Sequence, residues 1–256
     1  MTMRIRTGAA IALGSVLVLA GCSNGDDTEG DATAADTTST ADAPAADLGN
    51  FPALPTPPEG GDPVTCEYDA QGEPAAPAQP PAATDVPATG TTVLTLATDA
   101  GAIDATLDRA WAPCTVQSIV SLADQGFYDG TPCHRLTAAS GLSVLQCGDP
   151  SGRGNGGPGY QFADEYPATA AESSEAVGYP RGTLAMANAG PGTNGSQFFL
   201  VYEDSVLPPA YTVFGTISET GLEVLDEIAA EGTDNRNGPG DGAPNRSVTI
   251  DSATTS

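Results

Sequence analysis

The stretch Met186-Ala-Asn-Ala-Gly-Pro-Gly-Thr-Asn-Gly-Ser-Gln-Phe-Phe-Leu200 sets the fold of this 256-residue chain. Gly190, Pro191, Gly192, Asn194 and Gly195 punctuate a turn. Glycine reaches positive φ there without steric cost, and proline presets its own φ. Gln197-Phe-Phe-Leu-Val-Tyr202 follows and predicts a strand, being rich in aromatic and apolar residues. Alternation sends Phe198 and Phe199 to opposite faces, so one of them belongs to the core. An amide, an aromatic ring and an irregular loop thus lie close together, which is how a groove for an extended peptide is built.

Outward from this stretch the same patterns predict further strands. They fall at Val93–Leu96, Ile103–Leu107, Cys133–Leu136, Val144–Gln146, Thr183–Met186, Thr212–Ile217 and Val248–Asp251. Two helices interrupt them. Thr115–Gln125 carries Val116, Ile119, Val120 and Ala123 on one face, with Pro113 near its start and Gly126 past its end. Gly221–Ala230 carries Leu222, Leu225, Ile228 and Ala229 similarly. Periodicity alone establishes a β-rich domain with two helices.

The start of the chain is different. Arg4 and Arg6 precede an apolar run, Ile11–Ala20, that is too short to span a bilayer comfortably. Leu19-Ala-Gly-Cys22 follows and resembles a bacterial lipoprotein cleavage site. The resemblance implies a signal peptide over 1–21, cleavage before Cys22 and lipid (palmitate) on its sulfur. The alternative is an ordinary secretory signal beside an unrelated cysteine. Either way the expected location is the extracytoplasmic face of the cell membrane or beyond it. Residues 22–89 are dominated by Ala, Pro, Thr, Gly and Asp, with 13 acidic residues and no basic one. Too little apolar surface is present to offset the ordering entropy, so an acidic tether is expected, with part of 60–70 docked on the domain. The remaining span, 90–252, fits one domain.

Charge excludes several functions. There is no lysine; removing Arg4 and Arg6 leaves six arginines against 33 acidic residues, a net charge of −27. Nucleic acid is not an expected partner, because phosphate binding needs clustered positive charge. The single histidine, His134, rules out a multi-histidine metal site, and no metal or cofactor is expected. Alternation over 133–136 would put Cys133 and Arg135 on one face and His134 on the other, a poor arrangement for a thiolate dyad. Gly152-Arg-Gly-Asn-Gly-Gly157 matches a dinucleotide-binding glycine pattern, but Pro158 stands where a helix should open. Asp234-Asn-Arg-Asn-Gly-Pro-Gly-Asp241 lacks the spacing of a calcium loop and reads as a solvated turn.

From about 90 to 251 the chain resembles the cyclophilins, the barrel-shaped peptidyl-prolyl isomerases. The resemblance rests on the opening stretch, Gly126-Phe-Tyr-Asp-Gly130, Cys133-His-Arg-Leu136, Gln146-Cys-Gly-Asp149, the glycine-rich Gly152–Gly159 segment and Tyr211-Thr-Val-Phe-Gly215. It implies a closed, eight-stranded antiparallel barrel capped by two helices. It also implies an isomerase acting on proline-containing polypeptides, with Arg135 as the catalytic arginine. Gln146, Ala187, Asn188 and Gln197 would contact the peptide backbone. Phe199, Val144 and Leu207 would line the proline pocket, and His134 would stand beside the site. A monomer is expected, held to the membrane by lipid on Cys22.

The pattern is broken in places. Ten residues separate Arg135 from Gln146 where many cyclophilins have seven. Ser143 occupies a place where the family commonly has an aromatic ring. Val206 and Tyr211 stand where many eukaryotic members carry tryptophan and histidine. A peptide-binding or scaffolding module with little turnover is therefore the alternative to an enzyme. Besides Cys22, four cysteines remain. A hairpin of the Cys133 and Val144 strands would bring Cys133 opposite Cys147, leaving Cys66 for Cys114. This is one of three connectivities, and four reduced thiols are the other outcome.

Overall fold

A computed structural model describes residues 47–139 and 141–256. The signal-like segment, Cys22, the first part of the acidic segment and Ser140 lie outside the described residues.

Alternation builds the barrel. In Gly101–Asp108, Ile103, Ala105 and Leu107 point inward and are buried, while Thr106 is exposed. Thr91–Thr98 pairs with this strand along its whole length, and Leu94 and Leu96 join the same interior. The main sheet is antiparallel and ten-stranded. Across it run Asp241–Gly242, Arg135–Ala139, Leu142–Cys147, Phe198–Val201, Thr183–Met186, Val213–Ile217, Gly101–Asp108, Thr91–Thr98, Thr249–Thr255 and Thr131–Pro132. One stretch of chain supplies the strand at one end of the sheet and the strand next to the other end. Thr131–Pro132 pairs with Thr249–Ile250, and Arg135–Ala139 pairs with Leu142–Cys147. The sheet therefore curls into the expected barrel, with all eight predicted strands present. The predicted Cys133–Leu136 strand is displaced to Arg135–Ala139.

That change of partner has a local consequence. Cys133 packs in the interior cluster, as does Leu136, whereas Arg135 lies on the outer face. The expectation that Cys133 and Arg135 share a face is overturned, because the pleat breaks where the chain leaves one strand for another. Both expected disulfides are present, Cys133–Cys147 and Cys66–Cys114.

Helix α1 is Pro113–Asp124 and helix α2 is Glu219–Ala230, each starting two residues before its predicted bound. Ser218 caps α2, its Oγ accepting from Gly221 N at 3.1 Å. Ala112 has no side chain with which to cap α1. Glu165, distant in sequence, does so instead, accepting from Cys114 N at 3.0 Å and Thr115 N at 2.8 Å. Burial pushes the Glu165 carboxyl up, while these donors pull the other way.

A second apolar cluster lies outside the barrel wall. It joins Val144, Ala185, Phe199, Val201 and Val213 to Tyr166, Val177 and Tyr179 from the covering segment. Phe198 belongs to the interior and Phe199 to this outer cluster, as alternation requires.

The acidic segment is where expectation and structure part. Residues 47–89 follow the barrel as a strap rather than a free tether. Ala53 bridges Gly178, Val64 bridges Val86, and Asp69–Ala70 pairs with Tyr160–Gln161. Tyr68 packs edge-on against Tyr160 and Phe162, and its hydroxyl donates to Cys114 O at 2.8 Å. Composition undercounts this segment because its hold comes from main-chain hydrogen bonds, a disulfide and a few well-placed apolar groups.

Candidate active site

The site grows from one row of cross-strand neighbours. Arg135 stands opposite Gln146, Gln146 opposite Phe199, Phe199 opposite Ala185 and Ala185 opposite Val213. Four registers thus carry one cation, one amide and one aromatic ring across the outer face. The next row brings Val144 beside Val201, extending the apolar floor.

Arg135 is fixed at several points. Its Nε and Nη2 donate to the Asp241 carboxylate at 2.8 and 2.7 Å, and its Nη1 donates to Gln146 Oε1 at 3.3 Å. The Asp241 hydrogen bonds raise the Arg135 pKa against the effect of burial, so the guanidinium stays charged. Arginine has five N–H donors. Two of them have no partner among the described residues and remain for a ligand. The chain of bonds continues through Gln146 Nε2 to Gln197 Oε1 at 3.0 Å and from Gln197 Nε2 to Gly156 O at 2.9 Å.

The Asn188 side chain is bonded within its own surroundings. Its side-chain amide donates to Ala210 O at 2.8 Å and its Oδ1 accepts from Gly190 N at 3.2 Å. The Asn188 N–H and C=O, by contrast, have no partner among the described residues, so its main chain is what the groove presents. Ala187 donates its N–H to Gln197 O and packs against the outer cluster.

The apolar side is built from Phe199, Val144 and Leu207, with Tyr211 edge-on to Phe199 at 5.7 Å between ring centroids. Leu207 is placed by the pairing of Ser205–Leu207 with Val177–Tyr179. Ser143 does not enter the row. It lies on the strand face of Leu145, and its Oγ turns to Glu203 Oε2 at 3.4 Å. His134 also stands off the row, its ring over the backbone of Gly154. Both its nitrogens are buried without a partner among the described residues, and burial lowers its pKa.

Two features escaped sequence reasoning. Asp241 sits in the segment read as a solvated turn, yet it holds Arg135. The glycine-rich loop wraps a carboxylate of its own chain: Asp149 accepts from the N–H groups of Ser151, Asn155 and Gly156 at 2.8, 3.1 and 2.9 Å. Burial pushes the Asp149 carboxyl up, but these donors prevail and its pKa is lowered. The acidic residue just before a glycine-rich run was the available signal for such a nest.

Comparison with known proteins agrees with this geometry. Residues 93–255 match the family model described as cyclophilin type peptidyl-prolyl cis-trans isomerase/CLD. The chain belongs to the cyclophilin-type peptidyl-prolyl cis-trans isomerase family. A Mycobacterium leprae protein named "Probable peptidyl-prolyl cis-trans isomerase B" is 53% identical over 196 residues, covering 74% of this chain and 66% of that one. A Mycobacterium tuberculosis protein of the same name is 58% identical over 164 residues, 62% of this chain and 53% of that one. The matches thus span less than two thirds of these relatives' lengths. Among solved structures, a Cryptosporidium parvum cyclophilin type peptidyl-prolyl cis-trans isomerase superposes with a TM-score of 0.54 at 28% identity, covering 65% of this chain and 98% of that one. The same parasite protein solved in the presence of the dipeptide Ala-Pro gives 0.52 at 29% identity, covering 63% and 97%.

Proposed function

We propose that the protein is a peptidyl-prolyl cis-trans isomerase that assists folding of extracytoplasmic proteins, anchored by lipid on Cys22. The observation that carries the catalytic part is the Arg135–Gln146–Phe199 row. Isomerisation breaks no covalent bond; its barrier of about 18–20 kcal/mol is amide resonance lost on twisting. In the twisted state the proline nitrogen regains a lone pair. Arg135 has unengaged N–H groups to donate to it, a contact made mainly in the transition state. A barrier near 20 kcal/mol gives about one event per minute, so a thousand per second needs roughly 7 kcal/mol of lowering. One charge-assisted hydrogen bond supplies about 1.5–3 kcal/mol. The remainder comes from fixing the flanking peptide on Gln146, Gln197 and the Asn188 main chain while the proline ring lies on Phe199. No proton is transferred, and His134 has no part in the chemistry.

The location rests on Arg4, Arg6, the apolar run and Cys22, supported by two disulfides, which persist in oxidising compartments. Two experiments test the proposal. The protein should speed the proline-limited refolding phase of a secreted substrate protein. When expressed in its bacterial envelope it should enter the detergent phase on phase partitioning, and the Cys22→Ser variant should stay aqueous. Absence of acceleration would refute the first part, and an aqueous wild type the second.

A further inference from the structure

Beside the row, a cavity of about 550 Å³ opens between Gln146 and Gln197 on one side and the strap on the other. Its volume suits a side chain together with its water. Gln71, Gly72 and Glu73, which precede the family-matched region, form part of the wall. Glu73 is the only charged side chain among the lining residues. Gln71, Asn155 and Gln161 line the same space with side-chain amides that have no partner among the described residues, and amide oxygens accept from ammonium or guanidinium groups.

The wall is built, not draped. Gln71 N donates to Gly159 O and Ala75 N donates to Gly157 O, each at 2.8 Å, so Glu73 is held between two main-chain anchors. The glycine loop is shaped to receive the strap. A Cβ on Gly159 would meet Pro74 at 3.1 Å, and one on Gly156 would meet Ala75 at 2.9 Å. Cys66–Cys114 fastens the strap upstream. Downstream, Gln79 and Gln125 exchange hydrogen bonds, N to Oε1 at 2.8 Å and Nε2 to O at 3.1 Å.

We infer that this cavity takes the cationic side chain of a residue flanking the proline, and that Glu73 selects it. The inference rests on the isomerase reading and adds a specificity-determining residue to it. Peptides carrying Lys, Gln or Glu at each position around a single proline would be compared by kcat/KM. At one position the Lys peptide should exceed the Glu peptide about fivefold at low salt, which is about 1 kcal/mol by the tenfold-per-1.4 kcal/mol relation. Glu73→Gln should bring that ratio close to one. Glu67→Gln, also on the strap but outside the cavity wall, should leave it unchanged. A ratio untouched by Glu73→Gln, or lowered as much by Glu67→Gln, would overturn the inference while leaving the isomerase intact. Should the wild type isomerise no peptide, the isomerase reading fails instead. Amide-shift titrations of the same peptides into the wild-type and Glu73→Gln proteins then decide the charge preference alone: tighter Lys-peptide binding that weakens in the variant supports it, and equal binding refutes it.

Discussion

Arg135 and Asp241, 106 residues apart, meet in a two-pronged ion pair at 2.8 and 2.7 Å. The pair sets the plane of the guanidinium and decides which N–H groups stay available. With Nε committed to Asp241, a proline nitrogen must be reached by a terminal nitrogen. The paired side chains are about a third and a quarter exposed, so the pair is placed for orientation more than for stability.

Asp241→Asn should therefore lower kcat about five- to tenfold, with KM nearly unchanged, because an amide accepts from only one of the two donors. Unfolding free energy should fall by no more than about 1 kcal/mol. Steady-state kinetics beside urea denaturation checks both. A normal kcat would show that Arg135 needs no such alignment.

Phe199 lies in the outer cluster and in the row at once. Phe199→Ala should cost about 3–5 kcal/mol of stability, as large-to-small changes at buried aromatic sites do. Phe199→Leu keeps most of the volume and should fold, but raise KM several-fold with a smaller effect on kcat. Equal kinetics in Phe199→Leu and wild type would remove Phe199 from the proline pocket.

The rate should be flat from about pH 5.5 to 9, since no proton moves and His134 is already pushed towards its neutral form. Stability has a different acid limit. Hydrogen bonds from Arg135 lower the Asp241 pKa, and backbone donors lower that of Asp149 against burial. Each depressed carboxyl adds stability that is fully present above the unfolded value of about 3.9 and is lost as the pH falls through the folded value. Burial of neutral His134 adds an earlier loss, because its lowered pKa makes the unfolded chain bind the extra proton as the pH falls below about 6.5. Thermal melts should thus begin to decline below about pH 6.5 and fall further below about pH 4. An inflection in kcat/KM near pH 6.5 that disappears in His134→Gln would contradict the assignment of His134.

The two disulfides close loops of different length, with sequence separations of 48 and 14. Loop entropy gives about 4 kcal/mol for Cys66–Cys114 and about 3 for Cys133–Cys147. Replacing Cys66 and Cys114 by Ser should also free the strap, raising hydrogen exchange at Gln71 and Ala75, whose N–H groups bond to the glycine loop. Peptide mapping without reductant should find these two pairings; Cys66 joined to Cys133 or Cys147 would contradict them.

The barrel was legible because its signals are local. Ile103, Ala105 and Leu107 alternate, and Phe198-Phe199 announces a strand buried on both faces. Arg135, Gln146 and Phe199 were legible through resemblance, and the register then showed them as neighbours. What escaped was non-local. Nothing in the loop containing Asp241 reveals that it returns to Arg135. The apolar residues of the strap are too sparse to overcome its acidic, proline-rich composition on paper, though Tyr68 and Cys66 hold it in place. That the Ser143 hydroxyl turns to Glu203 was likewise not legible, because the two lie sixty residues apart in sequence.

The central claim is that Arg135 lowers the barrier to prolyl rotation. Its most direct test is two-dimensional exchange NMR on an Ala-Pro peptide with the wild-type protein and with Arg135→Ala, each first shown to be folded. Exchange far above the uncatalysed rate that falls at least tenfold in Arg135→Ala is the predicted result. A folded wild type that leaves the exchange rate at background, or an Arg135→Ala variant as fast as wild type, would contradict it.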